Sequence, residues 1–126
     1  EDLRLLTNYN MDSENRLTLL LLGQAELRRR LSLAVHEALD QSVVMRHHVS
    51  PLEHDEVEPY LEHLLRLAGT EATLFDEPAI AAIFQATNGL VRKVNRLAHH
   101  ALNAATLDRS RQVSAAHIEA ALTELT

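Results

Sequence analysis

The chain of 126 residues is 46% hydrophobic and 3% aromatic, contains no cysteine and carries a formal charge of -6 at pH 7. This hydrophobic fraction excludes a disordered segment, and the missing cysteine excludes a disulfide framework and any thiolate metal site and fits a cytoplasmic location. The acidic balance argues against nucleic-acid binding by the whole surface, and no apolar run approaches the ~20 residues needed for membrane insertion.

The N-terminal part of the chain predicts a β-α-β unit that follows the end of a helix, residues 1–9. The apolar run at 16–24 is closed by Gly23, and its length favours a strand buried on both faces. Helical periodicity covers 25–41, and the β-branched residues of 42–50 predict a second strand. Two strands cannot cover a sheet alone, and the chain begins without Met, so we expect a piece of a larger α/β core.

The C-terminal part predicts a compact bundle of four short helices. Pro59 lacks an N–H and cannot sit deep inside a helix, so the first helix is expected to begin near 55–58 and to end at Gly69. The second helix is expected to run from its N-cap, Asp76, to Thr87. The predicted core positions of the first helix are Leu61, Leu64, Leu65 and Ala68.

The third and fourth helices are predicted to begin after Gly89 and at Ser114. Hydrophobic staples are expected at two helix starts: Phe75 with Ile80, and Val113 with Ile118. The apolar positions expected to face the core are Val91, Val94, Ala98, Ala101, Leu102 and Ala105 in the third helix, and Ile118, Ala121, Leu122 and Leu125 in the fourth.

The motifs of common catalytic sites are missing. The phosphate loop G-x-x-x-x-G-K-[ST] requires a lysine after spaced glycines, and the only lysine is Lys93. The eight histidines include no H-x-x-x-H pair, which favours scattered side chains over a metal site. A Ser/His/Asp triad finds no support in a G-x-S-x-G motif. We therefore predict neither catalytic residues nor metal ligands.

Two basic features remain. The run 28–30 contains three arginines on a predicted helix, and it reads as a solvated or inter-domain face, with a DNA contact as the alternative. Arg92 lies in the first turn of the third helix, and its planar fork suits a phosphate. A salt bridge between Arg92 and an acid on the bundle surface is the alternative. The residues alone leave both readings open.

Three motifs are more specific: L-x-G-Q-x-E-L at 21–27, P-L…E-V-x-x-Y-L-x-H…A-G at 51–69 and G-x-x-R-x-x-N-x-L at 89–97. With them, essentially the whole chain resembles the C-terminal half of an AAA+ ATPase. The nearest branch is the general secretion pathway protein A type, together with the related transposition-helper ATPases. The resemblance implies a mainly α fold, in which 1–50 are the end of the α/β nucleotide-binding core and 51–126 the four-helix lid.

The resemblance also implies an ATP site. The family's sensor arginine falls on Arg92, which would reach the γ-phosphate, and the polar residue at a strand end falls on Gln24. ATP and Mg²⁺ are thus the implied cofactors of the intact parent. The phosphate loop and the acidic Mg²⁺ strand lie outside the chain, so we expect the chain itself to be inactive and to hold no cofactor. Relatives usually carry an inter-subunit arginine where this chain has Ser42; Arg46, four residues on, is the candidate to replace it.

The expected function is that of a nucleotide-sensing lid and partial core of an ATPase that remodels partners in secretion-apparatus assembly or DNA transposition. We expect the parent to form a ring or filament and to contact DNA or the secretion machinery. The chain itself is expected to self-associate, because exposed sheet edges pair with further strands. The alternatives are a stand-alone helical DNA-binding module and a dimerising interaction domain.

Overall fold

The computed structural model describes residues 17–125 of the chain, which divides into two compact units, Glu1–His48 and Val49–Thr126. The described residues are mainly helical, with six α-helices, one short 3-10 helix at Ala34–His36 and no β-strand. The helix end predicted for 1–9 lies outside them. The α-helices are α1 (Ala25–Leu31), α2 (Glu37–Gln41), α3 (His54–Leu67), α4 (Glu77–Thr87), α5 (Val91–Leu107) and α6 (Ala115–Leu125).

The strands predicted in the first unit are not formed. Residues 17–24 and 42–50 have no regular secondary structure, and neither segment takes part in a ladder of hydrogen bonds within the described chain. A strand is stable only beside a partner that pairs its backbone groups and covers its side chains. Here Leu22 is 83% exposed and Val44 is 100% exposed, so the β-α-β unit is not confirmed.

The single helix predicted over 25–41 is interrupted after α1. The Ser32 hydroxyl donates to the carbonyl oxygen of Arg29 at 2.7 Å, and the backbone N–H of Leu33 donates to Arg30. Serine offers the backbone an alternative to helical hydrogen bonds, which explains why the apolar periodicity overestimated the length of the helix.

The second unit contains the four predicted helices. A capping box starts α3 one residue earlier than expected, because Glu56 Oε2 accepts from the backbone N–H of Glu53 at 2.9 Å. Pro59 therefore lies in the second turn, where it leaves the carbonyl of Asp55 without its usual helical donor. At the other end, Gly69 adopts φ +93°, which terminates the helix as predicted.

The start and end of α4 confirm their predictions. Asp76 Oδ1 accepts from the backbone N–H of Ala79 at 2.8 Å, with Pro78 in the first turn, and the helix ends at Thr87. Phe75, which precedes the cap, is buried in the core.

The starts of α4 and α6 are joined directly. Phe75 and Val113 form an isolated parallel β-bridge. Within it the Val113 N–H donates to the Leu74 carbonyl at 2.7 Å, and the Asp76 N–H donates to the Val113 carbonyl at 3.1 Å. The apolar residues that precede the two helices are thereby held side by side in the core.

All four helices of the second unit contribute to one hydrophobic core. Burial of each large aliphatic side chain stabilises the fold by roughly 1.5–3 kcal/mol relative to exposure. Val57 is buried although the periodicity did not select it, whereas Ala68 and Val91 were expected inside and lie on the surface. The largest fully buried side chains are Ile83, Leu97, Ile118, Val57, Val94 and Val113.

Candidate functional site

The turn before α5 is fixed by two consecutive left-handed residues. Asn88 has φ 48° and Gly89 has φ 71°. The Gly89 carbonyl accepts from the backbone N–H of Leu52 at 2.9 Å, and a Cβ on Gly89 would lie 1.8 Å from the Leu52 carbonyl oxygen. Only glycine fits this contact. The turn is thus bonded to residues 49–53, the segment at the beginning of the second unit.

Arg92 is the second residue of α5 and is exposed. Together with Lys93 and Arg96 it forms an exposed basic cluster, and no acidic residue occurs between 88 and 107. Within residues 17–125 none of the three cations makes an ion pair or a hydrogen bond through its side chain, so the surface salt bridge considered as the alternative for Arg92 is not formed there. The cluster can therefore offer its donors to an external anion.

A side-chain hydrogen bond lies one turn beyond Arg92. The Tyr60 hydroxyl, on α3, donates to Asn95 Oδ1 at 2.8 Å. The Tyr60 ring is half-buried and packs against the core, whereas Asn95 is exposed. Residues 60 and 95 are distant in sequence, so the pairing could not be found from spacing.

Gln24 belongs to the first unit, where it is the last residue before α1. Its backbone is extended (φ -76°, ψ 174°), its side chain is exposed and it does not cap the helix. Gly23 before it faces Leu27, since a Cβ on Gly23 would lie 2.5 Å from Leu27 Cδ2. Gln24 and Arg92 thus lie in different compact units.

In the first unit Arg29, Arg30 and Arg46 have internal partners. Arg29 donates to both carboxylate oxygens of Glu26, at 2.9 and 2.7 Å, and Arg30 Nε lies 3.6 Å from the same carboxylate. Hydrogen bonding from Arg29 lowers the pKa of Glu26, and Glu26 raises the pKa of Arg29. Arg46 contacts the Asp40 side chain at 2.9 Å, so the substitute considered for the arginine missing at Ser42 is already engaged.

The structure contains a Ser–His–Asp arrangement at the start of α6 that no sequence motif predicted. His117 Nδ1 lies 3.2 Å from Ser114 Oγ, and its Nε2 lies 3.2 Å from Asp108 Oδ2. The same Nδ1 accepts from the backbone N–H of Ser114 at 2.9 Å, so its lone pair is occupied and cannot take a proton from the hydroxyl. His117 acts here as the capping-box residue of α6, and the arrangement is structural.

Neither a metal site nor a membrane-spanning helix occurs among the described residues. Among residues 17–125, no group of three His, Asp or Glu side chains is placed to hold a metal ion. None of the helices in the same range has the length and apolar character needed to span a bilayer.

The chain is 34% identical over 105 residues to general secretion pathway protein A of Aeromonas hydrophila. The match covers 83% of this chain and 19% of that protein, so the chain spans about a fifth of the length of its curated relative. No protein-family model matches the chain, and no solved structure matches it. The similarity supports a relationship to general secretion pathway protein A.

Proposed function

We propose that the chain is the helical lid and an adjoining part of the core of an AAA+ ATPase that acts in assembly of a secretion apparatus. The similarity to general secretion pathway protein A supports the link to secretion. The observation that carries the proposal is the guanidinium of Arg92, exposed and without an internal partner in the described residues, at a helix start fixed by Gly89.

In this proposal Arg92 contacts the γ-phosphate of ATP. A guanidinium stays charged and donates two parallel hydrogen bonds, which matches a terminal phosphate. The γ-phosphate is lost on hydrolysis, so the contact exists in only one nucleotide state. Because Arg92 is a residue of α5, gain or loss of this contact would change the position of the whole helical bundle.

The proposed nucleotide site requires further residues besides Arg92. We assign Gln24 as a second polar contact to the nucleotide. The 126 residues contain no phosphate loop, so ATP and Mg²⁺ would be held by other parts of the intact protein, and a ring or filament would provide inter-subunit contacts.

Arg92→Ala in the full-length protein tests the proposal. Loss of one charged contact to the transferred phosphoryl group should lower the turnover of ATP on the order of 100-fold. Arg96→Ala removes the same charge one turn along the same helix. It should leave turnover within about twofold of the wild type, because an exposed charge that does not contact the nucleotide contributes little to the rate. Wild-type turnover by Arg92→Ala, or equal losses in both variants, would refute the assignment.

The same basic cluster favours a second candidate, a stand-alone helical DNA-binding module. Unpaired arginine and lysine side chains also bind nucleic-acid phosphates, and such binding weakens steeply with salt. Duplex binding that loses affinity in both Arg92→Ala and Arg96→Ala would favour this candidate over the ATP sensor.

A further inference from the structure

We infer that Tyr60 and Asn95 form a positioning pair that aims Arg92. The inference rests on the proposed role of Arg92 and adds two residues to it that do not touch the nucleotide. The observation behind it is the hydrogen bond of 2.8 Å from the Tyr60 hydroxyl to Asn95 Oδ1.

Arg92 lies between two hydrogen bonds that attach the first part of α5 to the preceding chain. On one side the Leu52 N–H donates to the Gly89 carbonyl at 2.9 Å, and on the other Tyr60 holds Asn95. Leu52 and Tyr60 flank the start of α3, just as Gly89 and Asn95 flank the start of α5. The two segments thus run in the same direction here, and they are fastened both before and after Arg92.

We expect the hydrogen bond from Tyr60 to Asn95 to limit the rotation of α5 about its own axis. The guanidinium of a helical arginine lies roughly 9 Å from the helix axis, which is the ~2.3 Å backbone radius plus the length of the side chain. A rotation of roughly 10° therefore moves the charged group by about 1.5 Å. A misplacement of about 1 Å at a reacting group can reduce the rate on the order of 100-fold. The buried side chains of α5, among them Val94 and Leu97, also restrict this rotation, and the hydrogen bond to Asn95 acts in addition to their packing.

The chemistry of the pair permits a clean substitution. Tyr60→Phe keeps the ring that packs against the core and removes only the donor, and exposed Asn95 Oδ1 can then bind water. We expect this variant to fold like the wild type but to lose the exact position of the Arg92 side chain.

A double-mutant cycle on full-length protein tests the inference, with ATP turnover measured for the wild type, Tyr60→Phe, Arg92→Ala and the double variant. We expect Tyr60→Phe to lower kcat roughly tenfold with little change in KM, and to cause no further loss when Arg92 is already alanine, because its effect passes through Arg92. Asn95→Ala should reproduce Tyr60→Phe in both backgrounds.

The outcomes separate the two proposals. If Arg92→Ala lowers turnover while Tyr60→Phe leaves it unchanged, the positioning role is refuted and the sensor role stands. Equal losses from Tyr60→Phe with and without Arg92 show a purely structural role and also refute it. If Arg92→Ala itself has no effect, both proposals fail. Urea unfolding of each variant identifies any loss that comes from the fold.

Discussion

The carbonyl oxygen of Leu52 determines which residue can occupy position 89. It lies where a side chain on Gly89 would begin, and the glycine also has a positive φ. Gly89→Ala therefore adds a steric clash to backbone strain. We expect it to lower the free energy of unfolding by about 3 kcal/mol, measured by urea denaturation of the chain.

Gly69→Ala is the matched control. Gly69 also has a positive φ, +93°, but a Cβ there would meet no atom within 4 Å. This substitution should cost only the backbone strain, about 1 kcal/mol. Equal losses in the two variants would show that the contact with Leu52 contributes nothing.

At the scale of single elements, the start of α6 depends on a buried histidine. His117 accepts from the backbone N–H of Ser114, and its side chain is buried. His117→Ala would leave both a vacant volume and a donor without its partner, and we expect a loss of about 2 kcal/mol in the free energy of unfolding.

Asp108→Ala tests the other side of the same imidazole. The Asp108 side chain is 77% exposed, so its contact with Nε2 is screened by solvent and should contribute less than about 0.5 kcal/mol. A loss as large as that of His117→Ala would mean that the three residues act as one network, contrary to the capping role.

The helix starts were the elements most fully predictable from the sequence. The Asp76 side chain caps α4 over three residues, so its spacing alone contains the information. The strand prediction failed because an apolar run such as 17–24 becomes a strand only beside a partner, which no local pattern reveals. Tyr60 and Asn95 are 35 positions apart, and the sequence gives no sign that they meet. The unpaired state of Arg92 likewise depends on which acids the fold brings near.

At the scale of the whole molecule, the described buried side chains all lie between Val57 and Ala121. By contrast, the first unit has strongly exposed apolar side chains: Leu20, Leu22, Val35, Val44 and Met45. The stability of the second unit should therefore not depend on the first, whereas the first presents apolar surface that favours association.

Deletion of residues 1–48 tests both consequences. We expect residues 49–126 to unfold in urea at the same midpoint as the whole chain and to sediment as a monomer, while the whole chain self-associates at high concentration. A monomeric whole chain would contradict the predicted self-association. A lower midpoint for 49–126 would show that the first unit stabilises the bundle.

The bridge between Phe75 and Val113 joins two loops that lie far apart in sequence. Each loop sets the first turn of its own helix and also supplies a hydrogen-bond partner to the other, so neither can change length alone without shifting both helices. In natural variants of this chain, insertions and deletions in one of these loops should accompany compensating changes in the other.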